Sequence, residues 1–108
     1  MHVFVGTNKG VFDLARDQVR PVLDCRKVQD LVALGDRLFA GTDNGLVVSN
    51  DNGVSWDPAG LDNYEVWQVR EASDGRLYAS TQPAGLFRSD DYGKTWHEIE
   101  SFEKHFIL

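Results

Sequence analysis

Apolar residues come in short runs broken by turns rich in Gly, Asn and Asp, not at the spacing of a helix face. Leu38–Gly41 and Leu46–Asn50 are two such runs, joined by Thr42-Asp43-Asn44-Gly45, whose residues tolerate positive φ. The same layout recurs at Leu77–Ser80 with Leu86–Arg88, and at Val3–Gly6 with Val11–Leu14. Further strands are predicted at Leu31–Leu34 and Val66–Glu71, each ending in a Gly-Asp or Asp-Gly turn. No window of about 11 residues combines a 3.6-residue period with capping signals. The pattern predicts an all-β chain.

The runs belong to an internal repeat. SNDNGVSW at 49–56 and SDDYGKTW at 89–96 both fit S-x-D-x-G-x-[S/T]-W and lie 40 residues apart. Upstream of each stands a shared segment, LFAGTDNGLVVS from Leu38 and LYASTQPAGLFRS from Leu77, the second with one extra residue in its turn. VFVGTNKGVFDL from Val3 is a third copy, but Ala15-Arg16-Asp17-Gln18 stands where its box should be. A short strand after Trp56 and after Trp96 would bring each full unit to four strands. Four antiparallel strands in roughly 40 residues is the blade of a β-propeller.

The boxes resemble the Asp-box, or BNR repeat, of sialidases, xyloglucanases, sortilin-type receptors and photosystem assembly factors. The resemblance covers nearly the whole chain and implies that each box joins the third and fourth strands of a blade. Residue chemistry suits that place. Asp51 and Asp91 can accept backbone N–H groups, and Ser49 and Ser89 can tie the loop back through a hydroxyl. Gly53 and Gly93 can take the left-handed conformation, and Trp56 and Trp96 can bury a ring against the next sheet. A structural role is expected for all eight, since one Asp in each of two separate turns offers too few oxygens for a metal.

The strand count sets a closure problem. The chain begins at the second strand of a blade, and Phe106–Leu108 reads as a first strand. Residues 1–108 are therefore expected to form a single domain of three four-stranded blades, one of them split between the termini. Propellers have about four to eight blades. A homodimer closing a six-bladed ring is the simplest completion, with Phe106–Leu108 pairing with Val3–Gly6 of the second copy. The alternative is a fragment of a longer propeller, or an engineered one.

Composition narrows the partners. Seventeen acidic against eleven basic residues give a net charge of −6, which argues against nucleic acid or an anionic membrane. No signal peptide or transmembrane run is visible, so a cytoplasmic location is expected. Cys25 has no second thiol, and His2, His97 and His105 are scattered, so neither cofactor nor metal is expected.

A site is expected at the channel mouth, on the face carrying the second-to-third-strand turns and the loops into the innermost strands. The candidates are Asn8, Lys9, Arg26, Asp43, Asn44, Tyr64, Trp67 and Gln82, and each has a plainer reading. The turn residues are good turn formers, and Trp67 and Tyr64 can be core. Arg26, Lys27, Arg70 and Arg88 could form an anion clamp, but the sialidase Arg-Ile-Pro has only Val19-Arg20-Pro21 as a partial counterpart. The leading expectation is a non-catalytic scaffold that binds a protein or a carbohydrate. The other is a glycoside hydrolase-like enzyme in which Asp62, Glu65 or Glu71 meets its own copy across a subunit junction.

Overall fold

The computed structural model describes residues 3–15, 18–24 and 27–99. They form three antiparallel sheets and no helix. The first sheet holds β1 (Val3–Thr7), β2 (Gly10–Ala15) and β3 (Gln18–Asp24). The second holds β4 (Val28–Leu34), β5 (Arg37–Thr42), β6 (Gly45–Ser49) and β7 (Asp57–Pro58). The third holds β8 (Glu65–Glu71), β9 (Leu77–Gln82), β10 (Gly85–Ser89) and β11 (His97–Glu98). Within each sheet the strands follow chain order, so every connection is a neighbour-to-neighbour hairpin. The all-β expectation holds, with strand ends moved by one to three residues.

The central hairpin is built the same way three times. Val3 pairs with Leu14, Leu38 with Ser49 and Leu77 with Ser89 at one end. At the turn end Thr7, Thr42 and Thr81 pair with Gly10, Gly45 and Gly85. The threonine hydroxyl closes each turn, donating to the carbonyl of Gly10, Gly45 or Pro83 at 3.0, 2.7 and 2.9 Å. It also accepts the backbone N–H of Lys9 and of Asn44. The side chain that makes the turn is therefore Thr rather than the Asn and Asp that mark it in the sequence.

Leu31–Leu34 is too short a reading of β4, which begins at Val28. The pairing of β4 with β5 slips between Val28 and Asp30, and that of β8 with β9 between Val66 and Gln68. Gln29 and Trp67 are thus the extra residues of matching β-bulges, and the bulge breaks the alternation that marks a strand.

Most of the core lies between the second and third sheets, where eleven buried residues including Phe39, Leu46, Val69, Leu77 and Phe87 form one cluster. Among the described residues the buried apolar cluster between the first and second sheets is smaller, made of Val11, Ala40 and Val47. Gly41 lets β5 approach β8, since a Cβ there would lie 2.6 Å from the carbonyl oxygen of Val66. The first sheet has no counterpart of β4 or β8 among the described residues. The strand expected at Phe106–Leu108 lies outside the described residues, as do Cys25, Arg26, His2 and His105.

Candidate functional site

The sheets have two ends, and the boxes occupy one of them. Ser49 Oγ donates to Asp51 at 2.8 Å and accepts the N–H of Gly53 at 2.8 Å. Asp51 accepts the N–H of Ser55 at 2.8 Å and its hydroxyl at 2.5 Å. The second loop repeats the geometry: Ser89 donates to Asp91, Gly93 N–H donates to Ser89, and Thr95 gives Asp91 both its N–H and its hydroxyl. Gly53 and Gly93 sit at φ 85° and 92°, where a side chain is strained. The sequence reading supplied the Ser, Asp and Gly roles but gave none to Ser55 and Thr95, whose hydroxyls are the leading donors.

These bonds fix the electrostatics of the loops. The Ser55 hydroxyl, then its N–H and the Ser49 hydroxyl, lower the pKa of Asp51 to about 2. The matching donors of Thr95 and Ser89 push Asp91 further down. Both carboxylates are ionised and occupied by the loop's own donors, which leaves them poor acids. Among the described residues no group of three or more His, Cys, Asp or Glu is placed to hold a metal.

The opposite end carries the β1–β2, β5–β6 and β9–β10 turns and the loops into the inner strands. Asp43 N–H donates to the Lys27 carbonyl at 3.0 Å, and Gly45 N–H to the Tyr64 carbonyl at 2.8 Å, which ties a turn to two entering loops. Asn8, Lys9, Asp43, Asn44 and Gln82 are all exposed here. Tyr64 is half-buried, its ring edge-on to Phe87 at 5.1 Å, so it packs rather than projecting from its Asp-Asn setting.

Trp67 behaves in the opposite way. It is 52% exposed, so the reading of Trp67 as core fails. The bulge turns it out of β8 into a cleft of about 530 Å³ lined by Gln29, Trp67, Gln68, Ser80, Thr81 and Gln82. An aromatic face is surrounded there by neutral amides and hydroxyls. Gln29, at the equivalent bulge of β4, had no role in the sequence reading. It crosses between the sheets to donate to Glu65 Oε1 at 2.8 Å. Nearby, Asp30 accepts from Val69 N–H at 2.8 Å and from Arg70 at 2.7 Å, locking the two inner strands side by side.

The anion clamp does not assemble. Arg70 is held by Asp30, whereas Arg88 pairs with Asp90 at 3.1 Å near the box end, and Arg26 lies outside the described residues. Of the acids weighed for hydrolysis, Glu65 is engaged by Gln29, while Asp62 and Glu71 are exposed.

Residues 7–106 match the family described as the DUF6242 beta propeller domain. Among solved structures, that of YCF48 bound to D1 peptide is similar, with a TM-score of 0.66 and 18% sequence identity over 90% of this chain. The chain spans 36% of that one, and at this identity the likeness is one of fold. No curated protein matches the sequence.

Proposed function

Because the chain belongs to the DUF6242 β-propeller domain family, we propose that it is a non-catalytic scaffold that binds an extended protein segment at the channel-mouth end, over Trp67. The exposed indole carries this reading. A large apolar side chain on an inner strand is costly to leave in water unless something stacks on it. Gln29, Gln68, Ser80 and Gln82 around it offer neutral donors and acceptors suited to peptide groups. The neighbouring fold supports the ligand class, since YCF48 was captured bound to D1 peptide.

In the same proposal the two S-x-D-x-G-x-[S/T]-W loops are Asp-boxes. Their repeated hydrogen bonds and the packing of their tryptophans support this. Each sheet is a blade, the first is split, and a second copy closes a six-bladed ring around the channel that the inner strands line.

Screening a library of extended peptides, beside a panel of neutral glycans, tests the site. Trp67 is the most exposed of the three tryptophans, so a bound peptide should change the intrinsic fluorescence. Trp67→Ala should weaken binding at least tenfold, about 1.4 kcal/mol, while Lys94→Ala, in the exposed box loop at the other end, should change it little. Glycan binding that depends on Trp67, with no peptide hit, would replace the protein partner by a carbohydrate. Binding indifferent to Trp67 would remove the site.

A further inference from the structure

The hairpin register makes each position of one sheet comparable with the same position of the next, and the comparison exposes two unmatched faces. One face of the second sheet carries Ala40 and Val47, buried against the first sheet. The same face of the third sheet carries Leu77, Ala79 and Phe87, buried against the second. The equivalent residues of the first sheet are Val3, Val5 and Phe12. Val3 is 49% and Val5 39% exposed, against 0% for Leu77 and 1% for Ala79. Leu14 adds to the same exposed face.

The opposite faces show the complement. The first sheet meets the second through Phe4 and Val11, with Gly6 against Val28. The second meets the third through Phe39 and Leu46, with Gly41 against Val66. In the third sheet the same three positions hold Tyr78, Ser80 and Leu86, all only half-buried. An aromatic, a small residue and an aliphatic recur three times, and the third set has no sheet of the described residues before it.

We infer that these two leftover faces are the two halves of one junction: the Val3–Val5–Phe12 face of one copy docks on the Tyr78–Ser80–Leu86 face of a second. This rests on the ring reading above and specifies how the ring closes. The face chemistry selects the partner, because each leftover half is built like a half already buried at the two junctions within the chain. A same-face pairing would set two acceptor halves together and leave both sets of aromatic knobs exposed. The faces are different surfaces, so the contact is head-to-tail, and two copies satisfy both junctions at once. Arg88 stands where the junction of the second and third sheets has Val48 and that of the first and second has the buried Asp13. The junction between copies is therefore more polar than the larger one within a copy, and the dimer should dissociate on dilution.

Size-exclusion chromatography with light scattering on the full chain tests this through one variant on each face. The wild type is expected at twice the 12.1 kDa chain mass. Val5→Asp and Leu86→Asp should each halve the observed mass, with β-sheet circular dichroism retained. Mixed in equal amounts, the two variants should recover the doubled mass, because one junction of the mixed pair then has both native faces. Leu14→Glu, on the rim of the first face, serves if Val5→Asp does not fold. A dimeric wild type whose face variants all stay dimeric overturns the face assignment and leaves the ring reading standing. Variants that dissociate but fail to complement each other overturn the head-to-tail pairing. A wild type that stays at 12.1 kDa at every concentration overturns both.

Discussion

The two box loops form one chemical structure in two settings. Ser49–Trp56 and Ser89–Trp96 share their serine, carboxylate, glycine and hydroxyl bonds almost distance for distance. What they reach differs. Trp96 Nε1 crosses to the carbonyl of Ala59 in the preceding repeat at 2.9 Å, whereas Trp56 Nε1 donates to Gly53 within its own loop at 3.1 Å. Tyr92, at φ 62°, stands edge-on to Phe39, lies under the Arg37 guanidinium and gives its carbonyl to Arg37. Asn52 holds the same left-handed position in the first loop without an aromatic ring. The second loop therefore docks its sheet onto a neighbour through polar and ring contacts together, while the first reaches the smaller junction through the packing of the Trp56 ring. The comparison separates loop geometry, set by local hydrogen bonds, from docking, set by the surface a neighbour presents.

The largest expected effect tests the docking half of that comparison. Phe39 is buried at the better-packed junction, where Gly93 and Tyr92 close over it. Phe39→Ala should lower stability to urea by about 3–5 kcal/mol. Val47→Ala, at the smaller junction, should cost about 2 kcal/mol or less. Equal losses would mean that the two junctions are energetically alike, whatever their buried areas.

A smaller difference is expected from the indole nitrogens. Trp96→Phe removes the donor that serves Ala59 and should cost about 1–3 kcal/mol. Trp56→Phe removes a bond internal to its loop and should cost about 0.5–1.5 kcal/mol. The reverse order would show that the cross-repeat bond does not hold the sheets together.

The smallest effect sharpens the shared half. The carboxylate of Asp51 has a folded pKa near 2 against 3.8 unperturbed, and Asp91 is lower still. A depressed acid contributes stability that is complete above its unfolded value and lost as pH falls through its folded one. The loop contribution should thus be intact at pH 5 and fade from about pH 4 toward pH 2. Double replacement Asp51→Asn with Asp91→Asn should flatten the acid limb of a thermal-stability profile. An unchanged limb would place the acid sensitivity elsewhere. Salt screens exposed groups of this kind, so the change should be modest.

Much of the architecture was legible because it is written in local chemistry. Thr-x-x-Gly turns, the serine-to-aspartate loop and the glycines at positive φ involve residues within four of one another, and such spacing can be counted along a chain. The repeat then multiplied each signal. Trp67 was not legible in the same way. It stood among the candidates with a core reading beside it, and nothing in Val66-Trp67-Gln68 marks the bulge that leaves both Trp67 and Gln68 exposed between the buried Val66 and Val69. Gln29 was invisible for the same reason, and the choice between the core and site readings of Tyr64 stayed open because the Phe87 ring that receives it lies far along the chain.

Sequence alone was enough to determine the strand class, the repeat, the hairpin turns and the Ser, Asp and Gly roles in the boxes, because those depend on contacts a few residues long. Tertiary structure decided which half of each junction is covered, which tryptophan reaches its neighbour and which one is left in a cleft. Those outcomes depend on how close two sheets come. That distance is set by pairs such as Gly41 and Val66, which lie far apart in the chain and meet only once it has folded.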